Sequence, residues 1–67
     1  MQIVDYNILD SNGKVVTSHK DFPDCFMRLE KDDFVTLKGI PCVVTHVEYF
    51  VEDRTVRAVV TLMSMRD

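Results

Sequence analysis

Hydrophobic and polar positions divide the chain into short alternating runs with one break in period. Gln2 to Leu9 alternates, with Val4, Tyr6 and Ile8 on one side and Asp5 and Asn7 on the other. Asp10-Ser11-Asn12-Gly13 then interrupts it, and Asn-Gly is a strong short hairpin signal because both residues tolerate the positive φ of a type I′ turn. With Asn12 and Gly13 as the turn, the return strand from Lys14 to Lys20 sets Ile8 against Thr17, Tyr6 against His19 and Asp5 against Lys20, the last an opposite-charge pair.

At Asp21 the period changes. Phe22, Phe26 and Leu29 fall at i, i+4 and i+7, Asp21 is a candidate N-cap, Pro23 sits in the first turn and Asp24 near its positive end. The spacing predicts a helix of about two turns, too short to persist unless its aromatic stripe docks on a sheet. Glu30 to Asp33 then form a polar connection.

From Phe34 to Met65 the chain is rich in β-branched and aromatic residues and reads as a three-stranded meander. Phe34 to Leu37 is the first strand, Lys38-Gly39 its turn, Ile40 to Val51 the second strand and Val56 to Leu62 or beyond the third. Closing the long hairpin through Glu52 to Thr55 with Val51 opposite Val56 places Tyr49 against Ala58, Val47 against Val60, Thr45 against Leu62 and Val43 against Ser64, a mostly apolar face. The other face pairs Phe50 with Arg57, Glu48 with Val59, His46 with Thr61, Val44 with Met63 and Cys42 with Met65. A one-residue slip scrambles both sets, so their segregation supports the register. The expected fold is α+β and β-dominated, a single domain over 1–67 with the order β-β-α-β-β-β.

Val35 to Val44 (VTLKGIPCVV), then Glu48-Tyr49-Phe50-Val51, then Arg57 to Leu62 (RAVVTL), resemble small SH3-like barrels, and most closely the KOW-type amino-terminal domain of bacterial translation elongation factor P. The shared succession is a short strand, Gly-x-Pro, a long strand ending in an acidic-aromatic step, a loop and a returning apolar strand. It covers about half of the chain and implies a strongly bent meander closed by another hairpin. The family's functional loop is glycine-rich with a lysine at its tip, whereas Glu52-Asp53-Arg54-Thr55 has neither, so a ribosomal role is not implied. The amino-terminal hairpin and the helix fall outside the family's pattern, which leaves an open sheet with a helix across one face as the other architecture.

Composition narrows the function classes. Sixty-seven residues with 46% hydrophobic and 28% charged make an ordinary globular balance, but a single core of this size rarely yields more than ~3–5 kcal/mol, so a staple, a metal or a partner subunit is to be considered as a stabiliser. Net charge is −3 and the eight basic residues are scattered, without the stripe that phosphate neutralisation wants. That pattern disfavours nucleic acid. No run approaches a membrane span and MQIVDYNILD lacks a basic region followed by an apolar one, so a cytoplasmic protein is expected. Cys25 and Cys42 show no framework spacing and read as reduced thiols.

Histidine and cysteine are zinc-ligand types, and Cys42 and His46, four apart on a strand, would share a face. Without a Cys-x-x-Cys or His-x-x-His pair, the reading is no metal and no cofactor. Cys42 with His46 and Glu48 is the one local arrangement suited to nucleophilic chemistry, but a small meander offers no cleft for it. The chain therefore reads as a non-enzymatic protein-interaction module, a bacterial or phage accessory or inhibitor protein that covers a partner's surface. Two alternatives stay open: a small nucleic-acid or ribosome-associated SH3-like barrel, and a small enzyme or ligand-sequestering protein using Cys42, His46 and Glu48. The expected protein-binding surface is Val44, Phe50, Val59, Met63 and Met65 with Arg57 at its rim, engaging another protein or a second copy as a homodimer.

Overall fold

The computed structural model describes residues 2–23 and 29–65. Five strands form one sheet: β1 (Gln2–Leu9), β2 (Val15–Pro23), β3 (Phe34–Leu37), β4 (Ile40–Val51) and β5 (Val56–Ser64). Their spatial order is β2-β1-β5-β4-β3, antiparallel throughout except at the centre, where β1 runs parallel to β5. The fold is β-dominated and the sheet curls into a half-barrel.

The predicted helix is not seen among the described residues. Phe22 and Pro23, assigned by spacing to its first turn, extend β2, with Phe22 opposite Val4 and Pro23 opposite Ile3. Asp24, Cys25 and Phe26 lie outside the described residues. Strand pairing wins locally because Phe22 packs its ring against Tyr6 edge-on, centroids 5.5 Å apart, and joins the core's margin. The connection ends in a tight acidic turn in which the Glu30 N–H donates to Asp33 Oδ2 (2.8 Å) and the Asp33 N–H to the Glu30 carbonyl (3.1 Å), with Asp32 at positive φ.

Two of the hairpin turns differ in kind. Lys38 and Gly39 both take positive φ, as a two-residue type I′ turn requires. At the first hairpin only Gly13 does so. There the Asp10 carboxylate accepts from the Asn12 and Lys14 N–H groups at 2.9 Å each, so the loop is wider than the predicted two-residue turn and Leu9 pairs with Val15.

One concave face carries the core: Val4, Tyr6 and Ile8 from β1, Ala58, Val60 and Leu62 from β5, Cys42 and Val44 from β4. Phe22, Leu29, Val35, Leu37, Ile40 and Val47 pack around it. Alternation dictates this set in β1 and β5, but β4 obeys it only piecewise. From Val51–Val56 to His46–Thr61 the ladder follows the predicted register; then it shifts, so that Val44 meets Leu62, Val43 meets Met63 and Cys42 meets Ser64. Thr45 is the extra residue of a β-bulge, and its hydroxyl donates to the Thr61 carbonyl at 3.1 Å. The predicted pairs Thr45–Leu62, Val44–Met63, Val43–Ser64 and Cys42–Met65 are thereby replaced, and Cys42 and Val44 move to the core face.

Candidate interaction surface

The bulge reassigns the chemistry along β4. Cys42 is buried on the concave face, whereas His46 and Glu48 are exposed on the convex one, so the three side chains do not converge on a common site. Burial pushes the Cys42 thiol up from its ordinary range, and the thiol donates to the Ile40 carbonyl at 3.3 Å, which makes it a poor nucleophile. Among the described residues no group of three His, Cys, Asp or Glu side chains could hold a metal ion. Nor is any described helix long and apolar enough to cross a membrane.

The expected binding residues separate in the same way. Val44 is completely buried, and so takes no part in a surface. Phe50, Arg57 and Val59 lie together on the convex face at the β4–β5 hairpin end, with Phe50 opposite Arg57 and 47% exposed. Met63 lies six residues beyond Arg57 and four beyond Val59 along β5, about 20 and 13 Å at the rise of a strand, with Thr61 between. Met65 lies just beyond and is 55% exposed. The predicted surface is therefore two patches.

Across the middle runs a polar row, His46–Thr61–Asn7–Ser18, in which the Ser18 hydroxyl donates to Asn7 Oδ1 at 2.9 Å. At the hairpin end Arg57 is held by carboxylates. Its Nη1 lies 2.8 Å from Asp5 Oδ2 and 3.1 Å from Asp21 Oδ1. The predicted Asp5–Lys20 pair gives way to this arrangement because β2 is irregular here. Asp21 takes φ 62° and donates its N–H to Asp5 Oδ1 at 3.0 Å. That backbone hydrogen bond and the Arg57 guanidinium hold the Asp5 carboxyl below the usual carboxylate range, against the opposing effect of burial.

The other patch is larger than the sequence suggests. Following the register outward from Met63 gives Phe34–Val43–Met63–Leu9–Val15, one apolar residue from each of the five strands in a continuous row. Phe34 is 74% exposed and Val15 56%, and the three between them are partly exposed. Phe34, Val43, Leu9 and Val15 were not among the expected site residues. Unbroken alternation turns Val43 to the other face, and pairing of β1 with β5 has no local signal that would align Leu9 with Met63. Comparison with protein-family models, curated proteins and solved structures finds no match to this chain.

Proposed function

We propose that this chain is a non-enzymatic interaction module, a bacterial or phage accessory or inhibitor protein that acts in the cytoplasm by covering a surface of a partner protein. The observation that carries this reading is the convex apolar row: five aliphatic or aromatic side chains, one per strand, crossing the whole sheet with its ends more than half exposed. Contiguous exposed apolar surface of this kind marks association sites, because each side chain of this type is worth ~1.5–3 kcal/mol when fully removed from water. Met63, with Met65 beside it, adds side chains that repack readily against a partner. The polar row His46–Thr61–Asn7–Ser18 gives the surface a defined rim on one side. We read the curled sheet as SH3-like in architecture, a form that hosts many unrelated functions.

The test is capture from a bacterial lysate on immobilised protein, repeated with Phe34→Glu and Val15→Glu. Both positions are exposed, so both variants should keep the wild-type melting temperature within a few degrees while losing a specific protein band. Co-purification of nucleic acid in place of protein would instead favour a nucleic-acid-binding barrel. Unchanged capture by both variants would exclude the row as the binding surface.

A further inference from the structure

We infer that the hairpin half of β4 is a docking edge for a second copy of this chain, which adds to it as an antiparallel strand centred on Tyr49. The inference uses the backbone edge of the sheet and not the convex row, and so goes beyond the binding surface proposed above.

β3 pairs with β4 only from Leu37–Ile40 to Phe34–Val43, and the acidic turn extends the contact by one residue, through the Asp32 N–H to the Val44 carbonyl and the Val44 N–H to the Asp33 carbonyl, both 2.8 Å. Beyond Thr45, no described strand lies along the outer side of β4. The Glu52 N–H donates to the Thr55 carbonyl at 2.9 Å, and hydrogen-bonded pairs alternate in an antiparallel ladder. Phe50–Arg57, Glu48–Val59 and His46–Thr61 are therefore the bonded pairs, and Val47, Tyr49 and Val51 aim their N–H and C=O groups away from β5, where no described strand pairs with them.

Sheets normally blunt such edges, and the contrast within this molecule is informative. β2 is broken by two register shifts and carries Lys20 and Pro23, while β3 has four residues. His46 to Val51 has no proline, no lysine and no bulge, and consists of β-formers except for His46 and Glu48. Val51 is 75% exposed and Tyr49 54%.

Charge selects both the occupant and its register. In a two-fold pairing centred on Tyr49, Val47 lies opposite the partner's Val51, Glu48 opposite the partner's Phe50, and His46 opposite the partner's Glu52. Apolar meets apolar on one face, and histidine meets carboxylate twice on the other. Moving the centre to Glu48 sets that carboxylate against its own copy. Centring on Phe50 sets Glu48 against the partner's Glu52 twice, and like charges directly opposite are destabilising. Centring on Val47 runs the partner strand into the bulge at Thr45 and the segment already held by Asp32 and Asp33. The Tyr49 register also matches outward backbone groups with outward backbone groups, and it is closed, since the same segment of each copy is used in the pairing.

Sedimentation equilibrium decides the matter. Wild-type protein should sediment at twice the 7.8 kDa chain mass. Tyr49→Pro removes an N–H that makes no bond to β5, so the monomer fold should survive while the dissociation constant rises by more than ~100-fold. Val51→Lys, at an exposed position, should weaken the dimer without touching the ladder. Phe34→Glu should leave it intact. In the wild-type dimer the Val47, Tyr49 and Val51 amides should exchange slowly, and faster on dilution. A wild-type chain at 7.8 kDa up to ~1 mM, the weak end of specific association, would overturn the inference. So would a dimer retained by both edge variants, or fast exchange of those three amides in the dimer.

Discussion

The two halves of β4 each carry two valines and have opposite circumstances. From Ile40 to Val44 the strand is flanked by β3 and β5 and sends Cys42 and Val44 into the core; from His46 to Val51 it has one described neighbouring strand, β5, and its apolar residues are largely exposed. Val44 is 0% exposed and Val51 75%. The same residue type in the same strand is thus core at one end and surface at the other. Neighbouring strands decide which, and Thr45 separates the two regimes.

Deleting single residues tests that division most severely. Removing Thr45 takes out the residue that has no counterpart on β5, so Val44–Leu62 and His46–Thr61 become consecutive pairs with every other side chain on its present face. The shortened chain should keep a cooperative thermal transition, at a cost of about 1 kcal/mol for the hydroxyl's hydrogen bond together with whatever curl is lost. Removing Val43 instead turns Cys42 and its preceding residues to the opposite face, and the cooperative transition should disappear. If both deletions behave alike, the bulge is not what divides the strand.

Substitution gives a quieter version. Val44→Ala should cost about 2–3 kcal/mol from lost burial and the cavity left behind. Val51→Ala should change stability by no more than about 0.5 kcal/mol. Urea denaturation of the two variants, read at constant slope, measures the difference.

Acid probes the hairpin end by another route, since polar contacts rather than deep burial hold it. The Asp5 carboxyl is held below its ordinary range chiefly by the Asp21 N–H and also by Arg57. Its contribution is therefore complete above the unfolded carboxylate range and disappears as pH falls through the lowered folded value. Wild-type protein should lose stability on that acid limb, and Asp5→Asn should be less stable at neutral pH with a shallower acid limb. Equal acid limbs in the two proteins would mean that another carboxylate dominates.

Sequence made the regular ladders and the tight turn legible and the bulged stretches much less so. The β4–β5 register from Val51–Val56 to His46–Thr61, the Ile8–Thr17 and Tyr6–His19 pairs and the Lys38-Gly39 turn all follow from alternation and turn chemistry. A bulge adds one residue without changing composition, so nothing in Val43-Val44-Thr45-His46 announces it, and unbroken alternation misaligns every β4–β5 pair beyond it. The spacing of Phe22 and Leu29 imitates a helical stripe because both pack at the core's margin, one from β2 and the other from the loop. The binding surface suffered most. Val44 left it through the bulge, and the row through Phe34, Leu9 and Val15 needs the pairing of β1 with β5, which joins segments more than fifty residues apart.

That central parallel pairing also bears on how the chain acquires its structure. The hairpin of β1 and β2 and the meander of β3, β4 and β5 can each form from neighbouring sequence, but neither completes the core alone, because Val4, Tyr6 and Ile8 are covered only when β5 lies alongside. Closing so long a loop before any contact rewards it makes the joining step slow. During synthesis the first hairpin must wait with its apolar face and one full edge uncovered until Val56 to Ser64 has been made. The interval before β5 arrives is when this chain is most open to pairing with a neighbour, and conditions that lengthen it should favour aggregation over folding.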